Sequence, residues 1–150
     1  MKKIFREIGM IARCTATISD LEFKEVNLGK GQYLYLVRIY ENPGIIQEKV
    51  AHMLKVDRTT AAKAIKKLVE MELVEKIKGK DNKKELKLYC TSKGKEIYPF
   101  LEKEEEYTVQ SAMEGMSIEE KEMVFELLHR MRINVEKEWK DIKKGSKRRY

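Results

Sequence analysis

Residues 47–69 read QEKVAHMLKVDRTTAAKAIKKLV and combine two short apolar stripes at helical spacing with a break between them. Val50 and Leu54 belong to the first stripe, and residues 61–68 carry the second. Asp57 stands just before the second stripe, and Asp is a residue type that commonly caps the start of a helix. The stretch therefore predicts a helix-turn-helix.

The open side of the second predicted helix carries cations and hydroxyl groups. These side chains contact DNA when such a helix lies in the major groove, where the N-terminal residues of the helix contact base edges. Residues further along the helix meet the phosphate backbone instead. The expected contacts to base edges and nearby phosphates are Arg58, Thr59, Thr60 and Lys63, and the expected backbone contacts are Lys66 and Lys67.

Residues 74–90, VEKIKGKDNKKELKLYC, place two short runs of β-compatible pattern on either side of a basic tip. A basic hairpin directly after a helix-turn-helix is the winged-helix arrangement, in which the wing reaches the neighbouring backbone or the minor groove. The wing residues expected to contact DNA are Lys80, Asn82, Lys83 and Lys84.

The net charge of +7 is distributed unevenly along the chain. From Arg58 to Lys84 there are nine Lys or Arg against four Asp or Glu, a net of +5, and residues 140–150 hold six cations against one Asp, another +5. The rest of the chain is therefore at −3. Most charge runs are solvated helix faces, but a helix face and a hairpin tip that are basic together favour a polyanion such as double-stranded DNA as the partner.

Composition excludes several other classes of protein. The chain has 150 residues, which suits one compact domain. It begins without the apolar core of a signal peptide, and no run approaches the roughly 20 apolar residues of a membrane span. We expect a cytoplasmic protein without a membrane partner. With only His52 and His129, no phosphate-binding loop and no clustered metal ligands, the sequence predicts neither an enzyme nor a cofactor or metal site.

Helical patterns flank this region on both sides. Residues 3–24 form one apolar stripe, and a second helix follows Gly29–Gly31 and ends at Asn42-Pro43-Gly44. Thr91 is expected to cap a further helix, which Pro99 should bend unless it lies in the first turn. Ser117 and Glu120 have the spacing of a capping box that opens the last helix.

The two terminal stripes are longer than one small winged helix needs to cover its core. We therefore expect the first, fifth and sixth helices to pair with a second copy of the chain, as a homodimer. The fold class expected is mainly α with a small β-wing, in which a winged helix-turn-helix lobe joins a helical dimerisation region built from the N- and C-terminal helices. The interface residues predicted on the last helix are Met123, Leu127, Met131 and Val135.

The order of these elements resembles the MarR family of bacterial and archaeal transcriptional regulators over nearly the whole chain. The resemblance implies one MarR-type domain over residues 1–150, with a winged-helix lobe at about 32–91, dimerisation helices at about 1–28 and 92–145, and a basic tail at 140–150. It also implies a triangular homodimer, usually a repressor that binds a palindromic operator and is released by a small ligand or an oxidant. The stretches that carry the resemblance are 32–38, 43–45, 47–54, 56–60, 68–74 and 91–94.

Two departures from the family pattern concern DNA binding. Lys55 stands where the turn of the helix-turn-helix usually has Gly, and a left-handed backbone there costs a side chain about 1 kcal/mol. Asn82 and Lys84 stand where the wing usually has Asp and, two residues on, Arg. Lys contacts phosphate as a point charge but cannot read a base bidentately, so we expect the wing to supply affinity more than sequence specificity.

Members of the family that sense small aromatic or carboxylate ligands bind them between the dimerisation region and the winged lobe, often near a cation on the first helix. Arg13 matches that cation, although a salt bridge to an acidic neighbour is the alternative. Tyr33 suits the wall of an amphipathic pocket, or the core. His52 is expected to be a surface or interhelix histidine, with ligand contact or pH sensing as the alternative.

Two further hypotheses remain open. One branch of the family senses peroxides through a cysteine on the first helix, which makes Cys14 a candidate, although Cys90 lies on the returning strand of the wing and offers no evident resolving thiol. We expect Cys14 to be a buried structural thiol. The other hypothesis is an architectural or protein-docking winged helix that binds DNA weakly and without sequence preference.

Overall fold

Helices make up most of the chain, and short strands follow the second and fourth of them. The computed structural model describes residues 1–80, 82 and 84–150. A short 3₁₀ helix, Phe23–Val26, follows the first α-helix. The elements in chain order are α1 (Lys2–Glu22), α2 (Gln32–Glu41), β1 (Ile45–Ile46), α3 (Gln47–Leu54), α4 (Arg58–Glu70), β2 (Val74–Lys78), β3 (Leu86–Cys90), α5 (Ser92–Ala112) and α6 (Ile118–Lys143).

The chain divides into two compact units, Met1–Thr108 and Val109–Tyr150, with the boundary inside α5. The first unit contains the predicted helix-turn-helix and hairpin, so the expected winged-helix class is confirmed. None of the helices in the described part of the chain combines the length and the apolar composition that a membrane span requires.

The core of the first unit gathers side chains from the helices and the sheet. Val50 of α3 and Ile65 of α4 are fully buried, together with Leu88 of β3. Small Ala51 and Ala61 are also buried, which lets α3 and α4 approach closely. This core holds α4 rigidly with one face inward. The other fully buried large side chains are Phe23, Leu36, Ile39, Leu68, Leu73, Val74 and Leu101.

The strands form a three-stranded antiparallel sheet in the order β1-β3-β2 over the described residues. Val74 pairs with Cys90 and Lys78 with Leu86 in the predicted hairpin, while Ile45 of β1 pairs with Leu88. The hairpin buries its base through Val74, Leu88 and Cys90, whereas its apolar residues nearer the tip are exposed. The wing is therefore anchored in the core at its base.

The turn between α3 and α4 has a left-handed residue at the position where the family pattern has Gly. Lys55 has φ 56° and ψ 37°, in the left-handed region where a side chain costs about 1 kcal/mol. Asp57 caps α4, since its Oδ1 accepts a hydrogen bond of 2.7 Å from the amide of Thr60. The predicted Asp57 cap is confirmed, and it defines where the exposed face of α4 begins.

The caps predicted for two further helices are also observed. Thr91 Oγ1 accepts from the amide of Gly94 at 3.1 Å at the start of α5, and Pro99 lies beyond the first turn of that helix, so the bend expected there stays a prediction. In the second unit, Ser117 and Glu120 form a complete capping box at the start of α6. The pattern-based helix boundaries are thus confirmed where a side-chain cap defines them.

Candidate nucleic-acid interface

The outer face of α4 brings the predicted DNA-contacting cations together. Ala61, Ile65 and Leu68 are buried on the inner face. The side chains that remain on the solvent side are all exposed, as contact with a polyanion requires. They are Arg58, Thr59, Thr60, Lys63, Lys66 and Lys67.

Two of these cations have acidic partners. Arg58 Nη2 pairs with Glu48 Oε1 of α3, across the helix-turn-helix, and the two side chains are 79% and 61% exposed. Lys66 Nζ lies 3.7 Å from Glu70 Oε1 on its own helix. The first pair joins the two helices, so it bears on where the Arg58 guanidinium points.

Thr60 has a structural role besides its predicted contact with DNA. Its hydroxyl donates a hydrogen bond of 2.8 Å to Asp57 Oδ2, while its amide donates to Oδ1 of the same carboxylate. The cap uses the hydroxyl proton, and the oxygen lone pairs and the methyl group of Thr60 remain for a DNA contact.

The wing tip is organised by backbone hydrogen bonds and by the side chain of Asn82. Gly79 N donates to Glu85 O at 2.9 Å, and Glu85 N donates to Asn82 O at 3.0 Å. Asn82 Oδ1 accepts from the amide of Lys84 at 3.1 Å. Asn82 therefore shapes the turn that presents Lys80 and Lys84, which are both exposed, while Lys83 lies outside the described residues.

Sequence reasoning counted Lys76 and Lys78 in the charge of the wing but assigned them no contact. Both are exposed on β2 and lie opposite Leu88 and Leu86 of β3. Residues two apart along a strand lie on the same face, so their spacing in the sequence could have indicated that both belong to one cationic surface. They extend the cationic surface from the tip toward the base of the wing.

The three candidate effector residues lie in different surroundings. Arg13 is exposed on α1, where its guanidinium lies against Gly9. His52 is exposed, as expected, and lines an open cleft of 610 Å³ with Lys49 and Met53. The structure does not place Arg13 beside His52 in a shared site within the described residues.

Tyr33 is half-buried and belongs to an aromatic cluster. Its ring centroid lies 4.9 Å from that of Phe23. Burial raises the pKa of the Tyr33 hydroxyl above 10.0, against the opposing effect of a hydrogen bond with Ser19. The phenol is therefore neutral at physiological pH.

A cavity of 370 Å³ between α1 and α5 was not predicted from the sequence. Ile18, Phe100 and Tyr107 line it, with Lys103 and Glu104 supplying charge. Ser19 Oγ donates to the Glu104 carboxylate at 3.2 Å, and Thr108 Oγ1 donates to it at 2.9 Å. Two hydroxyl donors thus hold the acidic group at the wall of the cavity.

The two cysteines differ in exposure. Cys14 is exposed in the single chain, so the expectation that the fold buries this thiol is wrong. The reason is that α1 buries only Ser19, near its end, and leaves its middle in solvent. Cys90 is buried with Sγ donating to Leu36 O at 3.9 Å, and burial raises its pKa to about 11 against the opposing charge of Lys95.

The predicted interface residues of α6 are largely open to solvent in the single chain. Met123 is 61% exposed, Leu127 49% and Val135 47%, while Met131 is half-buried. Exposed apolar side chains at this spacing form a continuous strip along the helix. Within the described residues, no three His, Cys, Asp or Glu side chains lie together in a way that could hold a metal ion.

A rigid helix-turn-helix core, an outward basic helix face and a basic hairpin together define a winged helix-turn-helix DNA-binding protein. The sequence pattern of the MarR family matches residues 28–86. The chain is 57% identical, over all 150 residues of both proteins, to an uncharacterized HTH-type transcriptional regulator of Bacillus subtilis (strain 168), YybA. The chain belongs to the MarR family of transcriptional regulators.

Solved structures agree with this assignment. A MarR family transcriptional regulator from Listeria monocytogenes, complexed with 26mer DNA, is 48% identical with a TM-score of 0.95, and the match covers 100% of both chains. The transcriptional regulator SlyA is 50% identical with a TM-score of 0.89 over 93% of this chain and 98% of that one. The resemblance seen in the sequence is thereby confirmed, as is the expectation that the chain is a regulator rather than an enzyme.

Proposed function

We propose that this chain is a sequence-specific repressor that binds a palindromic operator as a homodimer and is released by a small aromatic or carboxylate ligand. The observation that carries the proposal is the exposed basic face of α4, held on a buried core beside a basic wing. The DNA complex of the Listeria relative supports it, because that chain matches this one over its full length.

DNA binding and dimerisation belong to two different parts of the domain. Residues of about 32–91 bind DNA, and the helices of about 1–28 and 92–145 form the dimer. Arg58, Thr59 and Lys63 meet base edges, while Lys66 and Lys67 meet phosphates. Two-fold symmetry places the two copies of α4 in successive major grooves, so the operator is an inverted repeat.

The effector site is supported by the cavity between α1 and α5. Its volume of 370 Å³ falls within the range of small-molecule pockets. Phe100 and Tyr107 offer aromatic surface, and Lys103 offers a cation for a carboxylate. A ligand that binds here contacts α1 and α5, the helices proposed to form the dimer, and so acts on the spacing of the two DNA-binding lobes.

Base readout by α4 gives a first prediction. Lys63→Ala or Arg58→Ala should weaken binding to the operator by about 1–3 kcal/mol and narrow the difference between operator and random DNA, because a base contact adds affinity only on the right sequence. Fluorescence anisotropy with both duplexes at matched salt measures this.

Lys84→Ala serves as the contrasting variant. An exposed wing lysine that binds phosphate should, when it is replaced, weaken binding to both duplexes alike and lower the salt slope by about one unit for each phosphate that is no longer neutralised. A change in sequence preference with an unaltered salt slope would show that the wing reads bases.

The proposal is tested by comparing a DNA fragment from upstream of the chain's own gene with a scrambled duplex of equal composition. A specific regulator should bind the former at least about a thousandfold more tightly at physiological salt. Equal affinities would favour the architectural alternative, in which the winged helix binds DNA without sequence preference.

The exposure of Cys14 supports oxidation as a second mode of release. A peroxide would oxidise the Cys14 thiol to a sulfenic acid, with transfer of one peroxide oxygen to the sulfur and release of the other as water or an alcohol. Peroxide should then release the wild-type protein from the operator and leave the Cys14→Ser variant bound. Equal release of both proteins would exclude this thiol as the sensor.

A further inference from the structure

An acidic side chain lies within the surface that is proposed to face DNA. Glu48 stands in the first turn of α3, and its carboxylate pairs with the guanidinium of Arg58, the first residue of α4. Lys49 follows Glu48 in the chain and Lys63 lies further along α4, while the carboxylate of Asp57, which caps α4, precedes Arg58. A carboxylate at this place repels phosphates and lowers the affinity for DNA of any sequence.

The Glu48–Arg58 pair contributes little to folding. Both side chains are largely exposed, and ion pairs of this kind stabilise a protein by about 1 kcal/mol or less. The pair matters more for the direction of the Arg58 side chain, because an arginine side chain without a partner samples many rotamers. The carboxylate engages Nη2 and leaves the other guanidinium N–H groups to donate elsewhere.

The position of the Glu48–Arg58 pair determines the direction in which the Arg58 guanidinium points. The Asp57 cap places the first residue of α4 immediately after the turn, and the partner carboxylate comes from the neighbouring helix rather than from α4 itself. The direction of the guanidinium is therefore set by the crossing of α3 and α4, which the buried residues of both helices hold in place.

We infer that Glu48 is a positioning residue for sequence recognition: it holds the Arg58 guanidinium in the direction used for base contact and raises discrimination at the cost of non-specific affinity. This inference rests on the proposed function. A fixed arginine loses less conformational entropy when it meets the correct base, and the adjacent carboxylate opposes its use as a general phosphate contact.

The test uses the full-length protein and two duplexes, an operator selected from random DNA by the wild type and a scrambled control. Glu48→Gln removes the charge but keeps the size of the side chain. It should bind scrambled DNA several-fold more tightly and lower the ratio of operator to scrambled affinity by about two- to fivefold, within what an exposed ion pair can hold in place. The thermal unfolding midpoint without DNA should stay within about two degrees of the wild type.

Glu41→Gln is the matched control, because Glu41 also pairs with an arginine, Arg38, at 2.9 Å, in an ion pair at the end of α2 rather than on α4. It should leave the affinity ratio unchanged. In an Arg58→Ala background, Glu48→Gln should still strengthen binding to scrambled DNA but should no longer alter the ratio, because the side chain that it positions is missing.

Two results would overturn the inference while leaving the proposed function intact. One is an unchanged ratio in Glu48→Gln, and the other is the same fall in the ratio with and without Arg58. A wild-type protein that does not distinguish the two duplexes would instead overturn the proposed function, and this inference with it.

Discussion

Leu127→Lys is expected to convert the protein to monomers and to abolish specific DNA binding at the same time. Leu127 lies in the exposed apolar strip of α6, and a lysine there would bury a charge in the proposed dimer interface. Without the second copy only one half-site is engaged, so affinity for the operator should fall by about a thousandfold or more, toward the non-specific level. Sedimentation equilibrium and anisotropy, on the same samples, measure both effects.

Glu122→Lys provides the comparison, since it introduces a lysine at an exposed position on the side of α6 away from Leu127. This variant should remain a dimer and retain discrimination. If Leu127→Lys were a monomer that still bound the operator with wild-type affinity, the proposed architecture would be wrong.

Gly94→Ala should destabilise the fold by about 3 kcal/mol or more. A Cβ atom at Gly94 would lie 2.2 Å from the carbonyl oxygen of Leu73, which also accepts the amide of Thr91 at 3.1 Å. Because the added Cβ belongs to the backbone of α5 and meets the backbone of Leu73, neither group can move aside easily. The base of the wing and the start of α5 must therefore separate, as in an overpacked core. Urea or thermal unfolding should show a large shift of the midpoint.

Gly9→Ala is the matched substitution. Gly9 also lies inside a helix, but the nearest atoms to its Cβ belong to the flexible end of Arg13, at 3.2 Å. Alanine there should be neutral or stabilising by up to about 1 kcal/mol through helix propensity. An equal effect of both substitutions would mean that the close approach at Leu73 does not determine stability.

Local sequence patterns predicted the helix-turn-helix well, because its helices have short apolar stripes and side-chain caps. Asp57 and Ser117 both accept hydrogen bonds from amides three residues later, so the sequence itself marks those boundaries. The hairpin was predicted for a similar reason, since its strands pair with each other across one short turn. Strand β1 was missed because its two residues pair with the distant β3, and two residues show no alternation.

The parts of the site that depend on distant contacts were not predicted. Glu48 meets Arg58 only because α3 and α4 cross at one particular angle, and no spacing in the sequence encodes that angle. The cavity between α1 and α5 likewise depends on how residues 18–22 approach residues 100–108. Cys14 was expected to be a buried structural thiol, whereas α1 is largely exposed in the single chain.

The central claim, that two symmetric copies read successive major grooves of an inverted repeat, is tested most directly by changing the spacing of the selected operator. Inserting half a helical turn of DNA between the half-sites moves them to opposite faces of the duplex, while the two recognition helices keep their separation. The dissociation constant of the wild-type protein should then rise to the value for scrambled DNA. An operator that kept its full affinity after this insertion would contradict the account.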